Sequence, residues 1–175
     1  DVSYRDYWGT IVNAFEVLTP HQRLELRAES LVRVHDRSGT PATATWADLE
    51  TPALRDALAE YLAHSDVTDV PDDVVEVAQI ARSIAGQHDE PGRAAVAIAT
   101  AIGNAVEYVP GFTTVHTPAA EAWTTRKGVC QDMAHLSLGA LRSLGIPARY
   151  VSGYLHPGGA ERGERGLDEA TQAVD

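Results

Sequence analysis

The run RKGVCQDMAHLSLGALRSLGIPARYVSGYL, residues 126–155, constrains the fold of this chain more than any other stretch, because it encodes a turn, a helix, a tight link and a strand in succession. Gly128 marks the turn. Ala134, Leu138, Leu141 and Leu144 fall on one helical stripe, Gly145 suits the left-handed position just past a helix end, and Pro147 forbids continuation. The spacing therefore predicts a helix over 130–144. The aromatic and β-branched residues of ARYVSGYL, from Ala148 onward, predict a strand. Cys130 falls in the first helical turn, where unpaired backbone N–H groups and the helix dipole favour an anion. A thiolate is such an anion and is the reactive form of cysteine, and the same N–H groups suit the oxyanion of a tetrahedral intermediate. The competing role for a single cysteine is that of a small buried hydrophobe. Asp132 is open to the same two readings, and capping the helix or complementing its dipole is the simpler one.

Cys130 is the only cysteine, which excludes an internal disulfide framework, a CxxC pair and a cysteine-rich zinc site. No HExxH run or close set of His and Asp points to another metal, so neither a metal nor an organic cofactor is expected. A formal net charge of −11 argues against nucleic acid as a partner, and only the RGERG stretch from Arg162 is mildly basic. No apolar run approaches the roughly 20 residues that span a bilayer, and no signal-peptide core is visible, so the expectation is a cytoplasmic protein without a membrane partner. At 175 residues and 44% hydrophobic composition, the chain holds one substantial core, or one domain and part of another.

Residues 7–17 and 21–34 carry period-two patterns, clearest in Leu24, Leu26 and Ala28 against Arg23, Glu25, Arg27 and Glu29. They predict two antiparallel strands joined at Thr19-Pro20-His21. A lone hairpin is marginal in water, so these strands are expected to belong to a larger sheet. Residues 36–45 are rich in turn formers and read as a linker. Beyond them the pattern turns helical. Thr51 is placed to cap a helix with Pro52 at its first position, and further helices are predicted over 71–85 and over 91–106, the latter apolar enough to be buried. The stretch EYVPGFTTVHTPAAEAW predicts an irregular segment and a short helix before Gly128.

GVCQDMAHL followed by LRSLGIPARYVSGYL, with YVPGFTTVHTPAAEAW upstream, resembles the core motif of the bacterial transglutaminase-like superfamily. DYWGTIVNAF and PHQRLEL resemble the end of the β-rich N-terminal domain of its bacterial branch. The resemblance implies an α+β fold. Residues 1–36 would be the last strands of a β-rich domain and 37–45 a linker. Residues 46–156 would form an incomplete papain-like core with a central helix on an antiparallel sheet, and 157–175 a flexible tail or loop. It also implies Cys130 as nucleophile of acyl transfer or hydrolysis on carboxamide or peptide bonds, through a thioester, as in crosslinking transglutaminases, deamidating enzymes and cysteine proteases. The partner implied is a protein or peptide with a glutamine-like carboxamide. Trp123, Gln131, Asp132, His135 and Tyr154 are the candidate pocket or supporting residues. Trp123 leans toward a core role.

The family's histidine is expected after the strand near Leu155, in an HAW-like run, with an aspartate on the next strand. Neither is found, so the chain reads as an internal piece of a longer protein, inactive by itself. The alternative is a non-catalytic scaffold or interaction module, with association through exposed sheet edges as a further possibility. His135 lies five residues after Cys130, about 140° round an ideal helix, and is expected to face elsewhere, as a core histidine or one that supports the site by a hydrogen bond. His156 reads as a surface turn. His116, in the loop before the helix, is the weaker candidate for a substitute base.

Overall fold

The structure is a computed structural model that describes residues 1–29, 33, 44–69 and 75–153. The chain divides into two compact units, Asp1–Gly39 and Thr40–Asp175.

In the first unit, β1 (Val2–Arg5) pairs antiparallel with β2 (Ile11–Ala14), Val2 opposite Ala14 and Arg5 opposite Ile11. The turn between them corrects the expected boundaries. Asp6 Oδ1 accepts the Thr10 N–H at 2.8 Å, Asp6 O accepts the Gly9 N–H at 3.1 Å, and Gly9 takes φ +83°. Tyr7 and Trp8 thus form the loop, edge to face at 4.9 Å, where the alternation reading had made them strand. A short polar side chain bonding its own backbone and a glycine at positive φ terminate a strand whatever the hydrophobic alternation says. Residues 21–29 form no strand, and Leu24 and Leu26 are exposed. Alternation becomes a strand only where an edge is present to pair with it.

The second unit is built around helices. Thr45 caps the short α1 (Trp46–Leu49) reciprocally with Asp48. Next come α2 (Pro52–Ala57), with Pro52 at its first position, and α3 (Ala59–Leu62). Thr51 stands at the expected cap position of α2, yet its hydroxyl donates back to Asp48 O at 2.8 Å instead of capping. The remaining helices are α4 (Val75–Ala85), α5 (Pro91–Ala105), α6 (Ala119–Thr125) and α7 (Cys130–Ser143). The predicted start of α4 at 71–74 lies outside the described residues.

Ala94, Ile98 and Ile102 recur at three and four residue spacing on α5 and are fully buried, while Val96 on the opposite face is exposed. They join Val77 and Ala81 of α4, Ala119, Ala122 and Trp123 of α6, and Leu136 and Ala140 of α7 in one core. α7 is covered by α4, α5 and α6. Its buried side therefore includes Asp132, His135, Leu136 and Gly139 beside Leu138, a wider set than the leucine stripe predicts. Gly145 takes φ +74° immediately after the helix, as its position requires.

The only strands described in this unit are β3 (Glu107–Tyr108) and β4 (Lys127–Gly128), paired in parallel. The fold is mixed α and β, but the described residues contain no antiparallel sheet against α7. Residues 148–153 are not strand. The backbone of Ala148 bonds elsewhere: its N–H donates to Tyr61 O at 2.9 Å, and Arg142 donates to its carbonyl through Nη2 at 2.8 Å.

Candidate active site

Two backbone bonds fix the chain as it enters α7. Glu107 N–H donates to Arg126 O at 2.8 Å and Val109 N–H to Gly128 O at 2.9 Å, so β3 holds the turn at 126–128. Arg126 ends α6 in the left-handed region, φ 55°. Its guanidinium lies 3.5 Å from the centre of the Trp123 ring and 2.6 Å from Glu76 Oε2, which also accepts the Trp123 indole N–H at 3.2 Å. Trp123 is 3% exposed and its one polar atom is satisfied, which makes it a core anchor joining α6 to α4.

Val129 is the N-cap of α7 and Cys130 its first residue. The thiol is exposed. Asp132, at the third helical position, is fully buried. Its Oδ2 accepts the Val129 N–H at 2.7 Å and the Thr113 hydroxyl at 2.5 Å. This is one arm of a capping box: the acidic side chain reaches back to the cap amide, while valine has no acceptor to return the bond. Gln131 Nε2 donates to Thr114 O at 3.3 Å, and Thr114 and Thr117 close the segment with Thr117 N–H to Thr114 O at 3.1 Å. The loop at 110–117 is thus fastened to the first turn of α7, on the turn that carries Cys130.

Gly128 is part of the same arrangement. A Cβ there would stand 2.8 Å from Asp132 Oδ2 and 2.9 Å from Asp132 Cβ, closer than such atoms approach. Only a glycine lets the carboxylate fold back over the turn.

His135 lies one helical turn beyond Asp132, with 8% of its surface exposed. Burial holds its imidazole below the usual histidine range, while the Asp132 carboxylate pulls in the opposite direction. Its ring lies 5.5 Å from that of Tyr150. His135 Nδ1 and Asp132 Oδ1 are buried without hydrogen-bond partners among the described residues.

Among the residues singled out from sequence, the structure brings Cys130, Gln131, Asp132 and His135 together on the first two turns of α7, and sends Trp123 into the core. Tyr154 and His156 lie outside the described residues. His116 is exposed on the loop, its amide donating to Thr114 Oγ1 at 3.3 Å. Thr113 escaped the sequence reading because nothing in local spacing ties it to Asp132, nineteen positions later. The described residues contain no group of three or more His, Cys, Asp or Glu placed to hold a metal.

Cys130 is thus exposed on the first residue of a helix entered through a glycine turn and braced by an aspartate. The family model of the transglutaminase-like superfamily matches residues 78–172, and the chain belongs to that superfamily. It is 42% identical over 154 residues to an uncharacterized protein of Mycobacterium leprae, covering 88% of this chain and 54% of the relative. Uncharacterized proteins of Mycobacterium tuberculosis and Mycobacterium bovis are 31% identical over 173 residues, covering 86% of this chain and 49% of theirs. The chain therefore spans about half the length of the curated relatives it matches. No solved structure matches it.

Proposed function

We propose that the chain carries the nucleophile of a cysteine acyl-transfer site acting on carboxamide or peptide bonds. The observation that carries this reading is the exposed Cys130 thiol at the first position of a helix whose entry turn is braced by Asp132. The thiolate attacks the carboxamide carbon, and the carbonyl electrons move onto oxygen. Collapse of that intermediate breaks the C–N bond, the nitrogen leaves with a proton as ammonia or an amine, and a thioester remains. A second amine, or water, then attacks the thioester and returns the thiolate. Helix N–H groups at the first turn suit the developing oxyanion.

Proton transfer to the leaving nitrogen needs a general acid, and later a base. His135 is buried within α7 and no histidine follows His156. We place the histidine and aspartate of a triad in the part of the relatives' length that this chain does not cover. The test is ammonia release from a glutamine-containing peptide, and incorporation of a primary amine, by a form of the protein extended to the relatives' length. Turnover lost in Cys130→Ala supports the reading. An extended form that alkylates at Cys130 but turns over neither substrate overturns it in favour of a scaffold that keeps the fold.

A further inference from the structure

Three features converge on the carboxylate of Asp132. One oxygen holds both the Val129 amide and the Thr113 hydroxyl, and these two donors belong to segments far apart in sequence. Gly128 is kept free of a side chain by that same oxygen, at 2.8 Å from where a Cβ would be. The other oxygen is buried with no partner among the described residues, so none of them offers a competing bond to draw the carboxylate out of the clamp. A fully buried carboxylate is costly to hold without donors, which makes the two it has strong, charge-assisted bonds.

We propose that Asp132 is a positioning residue that makes the loop at 110–117 move as one piece with the Cys130 turn, so that this loop forms a fixed wall of the acyl-donor site. The latter half of that statement rests on the acyl-transfer reading; the clamp itself does not. Among the described residues, the hydrogen bonds that tie the loop to α7 are Thr113 to Asp132 and Gln131 to Thr114 O. The second is the longer and its acceptor is a neutral carbonyl where the first has a carboxylate, so the first dominates. Phe112, adjacent to Thr113, is 45% exposed and offers a point at which loop opening is read directly.

The experiment compares wild type with Thr113→Val, which keeps the shape and removes the donor, and Thr113→Ser, which restores it. Chymotryptic cleavage after Phe112 in the folded chain is expected to rise about tenfold in Thr113→Val, as loss of one hydrogen bond to a charged group implies. Iodoacetamide alkylation of the exposed Cys130 is expected to rise at least about threefold with it, since the loop is fastened to the turn that carries the thiol. Both return to near wild type in Thr113→Ser. A control, Thr100→Val, loses only a hydroxyl bond to its own helix on α5 and moves neither rate. Wild-type rates in Thr113→Val, or no rescue by serine, overturn the clamp. In the extended protein, Thr113→Val is expected to raise KM for the carboxamide donor with kcat little changed. If the extended protein turns over and KM does not move, the wall is overturned while the acyl-transfer reading stands. If loop opening follows the pattern but no form turns over, the clamp stands and that reading falls.

Discussion

At the scale of single residues, the site depends on one glycine and one buried acid. Gly128 has an ordinary backbone conformation, so alanine is excluded there by space and not by φ. Gly128→Ala forces Asp132 to rotate away from Val129 and Thr113, and an overpacked position of this kind costs about 1–3 kcal/mol. A urea midpoint that does not fall would show that the turn relaxes around the methyl group. His135 sets a pH dependence. Its folded-state imidazole is held below the usual range by burial against the opposing pull of Asp132. The unfolded chain takes up a proton near about pH 6.5 while the folded chain resists, so stability falls as pH drops through that value and is unaffected above it. Lowering pH from about 7.5 to about 5.5 is expected to reduce the urea midpoint more in wild type than in His135→Gln. Equal reductions would assign the acid sensitivity to other groups.

At the scale of elements, α5 carries the core. Ile98 and Ile102 are at most 1% exposed and meet α4 and α7. Ile98→Ala leaves a cavity in that contact and is expected to cost about 2–5 kcal/mol, against little change for Val96→Ala on the exposed face. Thermal unfolding of the pair reads the difference. Helix identity was legible in sequence wherever a stripe or a stop was written locally: α5 from its apolar spacing, α7 from Gly145 and Pro147, α2 from Pro52. The illegible parts depended on partners. Residues 21–29 alternate like a strand and are not one, because alternation specifies a face and not an edge to pair with. The turn at Asp6–Gly9 interrupts what reads as one strand, since turn chemistry overrides alternation there. On α7 the leucines marked the helix, and His135 read as a core or supporting histidine, but nothing local revealed that Asp132 would be inside. That follows from α4, α5 and α6 covering it on several sides. Cys130, Asp132 and Gly128 were legible from the motif, whereas Thr113 was reachable only through the fold.

At the scale of the whole molecule, the proposal separates what Cys130 does alone from what it does with a proton donor. A carboxamide nitrogen leaves only when protonated, so the amide reaction needs the general acid that we place beyond this chain. A nitrophenyl ester differs in the one respect that matters, because its phenolate leaves without a proton. The folded 175-residue chain is therefore expected to release one equivalent of nitrophenolate in a burst and then stall as the thioester, with Cys130→Ala showing no burst. The same chain is expected to release no ammonia from a glutamine peptide. A mass increase of one acyl group on the tryptic peptide that holds Cys130 identifies the acceptor. Absence of the burst in a folded chain would mean that the helix turn supplies exposure without nucleophilicity, which the scaffold reading requires. Ammonia release by this chain alone would mean that a proton donor already lies within it, and Asp132 and His135, each with a buried atom that has no partner among the described residues, would be the first to replace.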